Sequence, residues 1–156
     1  MIQLLSPMTG TAVPLEQVPD NAFSRKLLGD GIALLPQEGT ILSPVDGCLS
    51  AISDTLHAYV FSTPEGQEIL VHVGLESVGL QGRGFYPLKK PGEAVKAGEP
   101  VADVDLLALQ KKGVPLYTPV VICEGAENLT LTAVTGPVTA GQSVLITLDC
   151  AGSEPF

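Results

Sequence analysis

The chain has only two histidines in its 156 residues, His57 and His72, and the chemistry open to it starts there. A neutral imidazole can attack phosphorus through a ring nitrogen, while a neighbouring imidazole donates a hydrogen bond to a phosphoryl oxygen as charge builds. Phosphoryl transfer asks mainly for in-line positioning and charge stabilisation, so a shallow, partly apolar site on a rigid sheet is enough. A single histidine in a strand is more often a hydrogen-bonded structural residue. Two of them flanking one turn signal favour the functional reading, and Thr55, two residues before the first, supplies a hydroxyl that could fix the helper's tautomer.

Whether the rings meet depends on the turn between them, Ser62-Thr63-Pro64-Glu65-Gly66-Gln67, in which Pro presets φ and Gly supplies a left-handed residue. With Thr63 to Gly66 as a four-residue loop, opposed residue numbers total 129, as 57 and 72 do. Directly opposed residues share a face with Cβ atoms about 5 Å apart. A three-residue loop would shift the register by one and put the histidines on opposite faces. The first arrangement is the expectation; it gives a surface with both histidines and Thr55, ringed by Leu70 and Tyr59.

The elements around this hairpin read as short strands: 31–35, 40–43, 47–52, 57–61, 68–73, 101–104, 120–122 and 144–148, separated by Pro- and Gly-containing turns. Helix is expected only in short pieces, at 21–28 after an Asp20 cap, at 75–78, and at 106–111 after Asp105. Two segments share a phrasing, 90–101 and 135–144. Each opens on a Gly, places a second Gly after an Ala, and leads into a strand. This resembles the hybrid hairpin of biotinyl and lipoyl carrier domains, a phrasing that hairpin turns of unrelated β proteins share, and a doubled version would account for the length. The fold expected is all-β, a barrel-sandwich made of a duplicated hybrid motif, mostly antiparallel, with a few short helices. A single domain is expected over 1–150, with 151–156 as a C-terminal tail.

Composition agrees: apolar residues are 45% and aromatics 4%, so the core must come from Val, Leu, Ile and Ala. The formal net charge of −9, with eight scattered basic residues, leaves no electrostatic footprint for nucleic acid or an anionic membrane and favours a basic protein partner. Three widely spaced cysteines suit neither a disulfide framework nor a C-x-x-C site, and no apolar run has the length of a membrane span. A cytoplasmic protein is the expectation.

The run from Gly66 to Val78, with His72-Val73-Gly74-Leu75-Glu76 at its centre, resembles the phosphorylation-site signature of the glucose-type enzyme IIA of bacterial sugar phosphotransferase systems. Further pieces agree in order and spacing: Ser6-Pro7-Met8-Thr9-Gly10, Val18-Pro19-Asp20, Gly29-Asp30-Gly31, Ser43-Pro44-Val45-Asp46-Gly47, Thr55-Leu56-His57-Ala58, Gly82-Arg83-Gly84-Phe85 and Thr118-Pro119-Val120-Val121. The resemblance spans residues 3–148. It implies a phosphocarrier in which HPr phosphorylates His72 on Nε2 and the group passes to a cysteine of an enzyme IIB domain during sugar uptake. It also implies that His57 stabilises the phosphoryl group and that Thr55 bonds His57. Phe23 and Leu70 would belong to an apolar docking rim, and Asp20 and Glu76 would meet arginines of HPr. No cofactor and no direct membrane insertion are implied; the protein would associate with a membrane permease through protein contacts, and regulatory targets are a family-level expectation. Leu70, Val73 and Ser53 depart from the family, standing where phenylalanine is common.

Two rival readings are weaker. A zinc hydrolase of the lysostaphin type needs H-x-x-x-D and H-x-H arrangements, which are absent, so no intrinsic metal site is expected; His57 and His72 could at most be half of a partner-completed zinc site. A swinging-arm carrier would be modified on Lys96, which lacks a Met-Lys-Met setting. A purely regulatory binding module using the same surface is left open.

Overall fold

The computed structural model describes residues 1–150, apart from the side chain of residue 78; the expected tail at 151–156 lies outside the described residues. In chain order the strands are β1 (Ile2–Leu5), β2 (Gly10–Val13), β3 (Asp30–Pro36), β4 (Thr40–Leu42), β5 (Gly47–Ile52), β6 (Ala58–Ser62) and β7 (Glu68–His72). They continue as β8 (Phe85–Pro87), β9 (Ala94–Val95), β10 (Pro100–Val104), β11 (Thr118–Glu124), β12 (Leu129–Ala133), β13 (Gly136–Val138) and β14 (Val144–Cys150). An eight-stranded sheet runs β13-β2-β3-β11-β7-β6-β5-β9, and two three-stranded sheets run β1-β14-β12 and β4-β10-β8. Every pairing is antiparallel. The expected all-β sandwich is the fold observed.

The duplication is visible in the hydrogen bonds. Leu5 N–H donates to Pro44 O at 2.9 Å while Leu42 N–H donates to Pro7 O at 2.8 Å, a reciprocal pair across a pseudo-two-fold. The two buried serines do the same job on either side: Ser6 Oγ donates to Met8 O and Ser43 Oγ to Val45 O, each at 2.7 Å. Their carbonyls accept from the turn glycines Gly141 and Gly98, and the alanines before those glycines donate to Thr9 Oγ1 and Asp46 Oδ1. The two similarly phrased segments thus become strand-turn-strand units, β9 to β10 and β13 to β14, each clasping one Ser-Pro loop.

The main core is aliphatic, as the composition requires. Leu4, Leu34, Ile41, Leu49, Phe61, Ile69, Leu145 and Ile146 are all fully buried. A second, smaller cluster lies on the other face of the large sheet, where Leu15, Val18, Phe23 and Leu75 pack over Ala33 and Val121. It is this outer cluster that covers the region of β7.

Local structure differs from expectation at some ends. Helix α1 spans only Asn21–Ser24, with Asp20 accepting from Ala22 N–H at 2.9 Å, because Lys26 takes a left-handed φ of 60° and ends the run. The piece expected at 75–78 is a 3-10 helix at Ser77–Leu80, displaced because Gly74 and Glu76 both have positive φ. Helix α2 (Leu106–Lys111) is where Asp105 predicts it, with the carboxylate accepting from Ala108 N–H at 3.0 Å. Strands β1, β2, β8, β9, β12 and β13 were not among the expected ones.

Candidate functional site

The β6–β7 turn differs from the expected one. Thr63 N–H donates to Gln67 O at 2.9 Å, Gly66 N–H donates to Thr63 O at 3.1 Å, and Gly66 has φ 103°. The Thr63 hydroxyl also bonds Gln67 twice, donating to Oε1 at 2.5 Å and accepting from the backbone N–H at 3.0 Å. The loop proper is therefore Pro64-Glu65-Gly66. Ala58, not His57, stands opposite His72, and Tyr59 pairs with Val71. With that register Tyr59 points inward and is fully buried, so it is a core residue and no part of the site.

In an unbroken ladder this register would have separated the two imidazoles. They meet because His57 precedes β6, in a tight turn that re-aims its side chain. Leu56 adopts φ 64°, Leu56 N–H donates to Ser53 O at 2.8 Å, and Ser53 N–H donates to Ala58 O at 2.9 Å. The carbonyl of His57 still accepts from Val73 N–H at 2.8 Å, which ties this turn to the end of β7. The outcome is two rings with centroids 4.7 Å apart, edge to face at 80°.

Hydrogen bonds assign the ring nitrogens. His72 Nδ1 lies 2.9 Å from the carbonyl oxygen of Gly74, which can only accept, so Nδ1 carries the proton and Nε2 of the neutral ring keeps its lone pair. Gly74 serves this geometry with φ 76°, and an added Cβ would press on Val114 Cγ1, Ser77 Oγ and Pro115 O. His57 Nδ1 lies 2.7 Å from Thr55 Oγ1. Burial lowers the pKa of His72 from its ordinary value, opposed by the Gly74 carbonyl and by Asp20. Burial likewise lowers that of His57, helped by the nearby His72 charge and opposed by the Thr55 backbone. Both rings are consequently held toward the neutral form, the one able to attack.

The cleft around the pair is lined by Asp20, Ala22, Phe23, Leu28, Glu76 and Ser77. Phe23 is 2% exposed and packs on His72 with centroids 5.1 Å apart, so it is a platform under the ring more than an exposed rim. Leu70 is half-buried against the outer cluster. The exposed apolar surface at the cleft comes instead from Leu28, 44% exposed. Glu76 is exposed at φ 59°, and Asp20 combines its capping bond with a place at the cleft. Among the described residues no group of three or more His, Cys, Asp or Glu side chains is arranged to hold a metal ion.

Residues 2–128 match the family described as the phosphoenolpyruvate-dependent sugar phosphotransferase system, EIIA 1. The chain belongs to that family. As an EIIA it is a phosphotransferase component, a phosphoryl carrier in sugar uptake. The glucose-specific EIIA component of Haemophilus influenzae is 37% identical over 147 residues, covering 94% of this chain and 89% of that protein. The N-acetylglucosamine-specific EIICBA component of Klebsiella pneumoniae is 42% identical over 144 residues. That alignment takes in 91% of this chain but only 22% of the longer protein. Among solved structures, glucose permease IIA from Mycoplasma capricolum superposes with a TM-score of 0.86 at 34% identity, over 93% of this EIIA and 94% of that chain.

Of the expected site residues, this EIIA brings His57, His72, Thr55, Phe23, Asp20 and Glu76 together, with Leu70 beneath them. Sequence reasoning missed Leu28 and the Gly74 carbonyl, and, although Ser77 lies in the signature run 66–78, it did not foresee that the buried Ser77 hydroxyl donates to Val73 O at 2.5 Å. A usable signal for Gly74 was its place two residues after His72; the Ser77 bond had none, because it depends on a turn of positive φ.

Proposed function

We propose that His72 of this EIIA accepts a phosphoryl group on Nε2 from HPr and passes it to a cysteine of an enzyme IIB domain. The Nε2 lone pair attacks phosphorus in line as the bond to the donor breaks. His57 donates a hydrogen bond to a phosphoryl oxygen, which requires its proton on Nε2 and its Nδ1 bare toward Thr55. The observation that carries this reading is the Gly74 carbonyl bond to His72 Nδ1, which leaves Nε2 unprotonated beside the second ring. Asp20 and Glu76 flank the cleft with negative charge and suit a basic partner surface, while Leu28 supplies apolar contact. A cytoplasmic location beside a membrane permease, reached through protein contacts, fits a chain in which no described helix is long and apolar enough to cross a membrane.

Incubation with phosphoenolpyruvate, enzyme I and HPr is expected to place an acid-labile phosphoryl group on the parent protein and none on His72→Ala. His57→Gln is expected to accept phosphate and fail to deliver it to enzyme IIB. Label on His72→Ala, or equal delivery by His57→Gln, would overturn the assignment of that residue. No label on the parent would leave a binding module in its place.

A further inference from the structure

His57 Nδ1 faces two hydroxyls. Thr55 Oγ1 is the nearer at 2.7 Å, and Ser53 Oγ lies at 3.4 Å. The serine hydroxyl is not free to wander, because it accepts the backbone N–H of Ala58 at 3.1 Å. Its own backbone N–H donates to Ala58 O, and its carbonyl accepts Leu56 N–H, so Ser53 closes the turn that carries both Thr55 and His57. With one lone pair of Ser53 Oγ occupied by Ala58, the hydroxyl proton has His57 Nδ1 as its side-chain partner.

The proton count then distinguishes the two tautomers of His57. If Nδ1 carried the proton, it could donate to one hydroxyl only, and both hydroxyl protons would lose this acceptor. If Nδ1 is bare, its single lone pair faces both hydroxyl protons in a three-centre bond, Thr55 at 2.7 Å taking the larger share and Ser53 at 3.4 Å the smaller, and the proton sits on Nε2. Ser53 is the second hydroxyl whose proton is satisfied only in that tautomer.

We propose that Ser53 is a positioning residue for His57: its hydroxyl, held by Ala58 N–H, joins Thr55 in donating to Nδ1 and keeps the helper imidazole in the Nε2–H form that faces a phosphoryl oxygen. This rests on the phosphocarrier reading for its consequence, though not for its geometry. Ser53 touches neither the phosphoryl group nor His72 in this scheme and acts only through the His57 ring.

The test is ring-nitrogen NMR of the 15N-histidine-labelled, unphosphorylated protein at neutral pH, with His57 assigned by comparison with His57→Gln. In the parent, Nδ1 of His57 should show an unprotonated, acceptor-type shift and Nε2 a protonated one. Ser53→Ala should move both shifts toward the averaged values of exchanging tautomers, and Ser53→Thr, which keeps the hydroxyl, should restore them. Loss of one donor of this kind should slow delivery to enzyme IIB by about threefold to tenfold while acceptance from HPr is unchanged. A Ser53→Ala variant with parental ring shifts overturns the proposal, as does a Ser53→Thr variant that behaves like Ser53→Ala. The NMR arm needs no phosphate, so changed shifts in a protein that takes no phosphate from HPr would sink the carrier reading and leave the Ser53 assignment standing.

Discussion

Burial of the two imidazoles has a measurable consequence at the residue scale, because their protonation differs between folded and unfolded chains. Both are held below their ordinary pKa of 6.5, chiefly by desolvation. Below pH 6.5 the unfolded chain therefore binds more protons than the folded one, and folding stability rises with pH up to that point and is flat above it. On acidification from pH 7, the urea midpoint is expected to hold until about pH 6.5 and then fall, and a His57→Gln/His72→Gln double variant should lose part of that slope. On the role proposed for His72, the same depression keeps its ring able to attack in slightly acid medium, so its rate of phosphorylation should start to decline only below its unperturbed pKa. A phosphorylation rate that halves at or above pH 6.5 would contradict the neutral, desolvated ring.

Segment 14–29 decides, at the element scale, what the cleft presents. Its 3-10 turn at Leu15–Gln17 and helix α1 lay Leu15, Val18 and Phe23 onto the outer face of the sheet, over Val121 and Leu70. The left-handed Lys26 then turns the chain outward, and Leu27 and Leu28 emerge as exposed leucines. Two apolar residues of this one segment thus have different duties. Phe23→Ala should cost about 3 kcal/mol in stability, as for other buried aromatic truncations. Leu28→Ala, at an exposed leucine of the cleft, should leave stability within about 0.5 kcal/mol yet weaken the encounter with the phosphoryl donor, seen as a higher KM for HPr. Should Phe23→Ala fold as stably as the parent, Phe23 is a docking side chain and not a platform.

For the whole molecule, the doubled hybrid motif makes a rigid frame from reciprocal backbone bonds, and the site is carried by the middle of the large sheet, where β7 is paired on both sides. That frame tolerates one local flaw. Tyr59 Oη is buried with no hydrogen-bond partner among the described residues, and burial pushes the phenol pKa up to about 12. An unpaired buried hydroxyl costs desolvation without return, so Tyr59→Phe should stabilise the fold by about 1 kcal/mol, read from urea unfolding. A less stable Tyr59→Phe would mean that the hydroxyl has a partner, such as a bound water. The acidity of the molecule belongs to this scale as well: with a net charge of −9 and Asp20 and Glu76 at the cleft, electrostatics should act on the rate and orientation of encounter with the basic partner proposed above.

Residue types and their order determined much of this protein. The aliphatic composition and punctuated short runs point to an all-β sandwich, the paired Gly phrasing of 90–101 and 135–144 points to its duplication, and Asp20 and Asp105 announce their helices by capping; that the two Ser-Pro loops are equivalent emerged only from their hydrogen bonds. The short strands β8, β9 and β13 were illegible because two or three residues carry no alternation, and their pairing is made by long-range partners. The histidine pair shows the division most sharply. Its identity was plain in sequence, yet the hairpin register inferred for it was off by one, since Pro64-Glu65-Gly66 closes as a three-residue loop. The rings meet through the left-handed turn at Leu56, whose strain is held by the bonds of Ser53 to Ala58 and by packing around it. Local propensity does not favour a leucine in that conformation; only the assembled sheet, fixing both ends of the turn, could put His57 against His72.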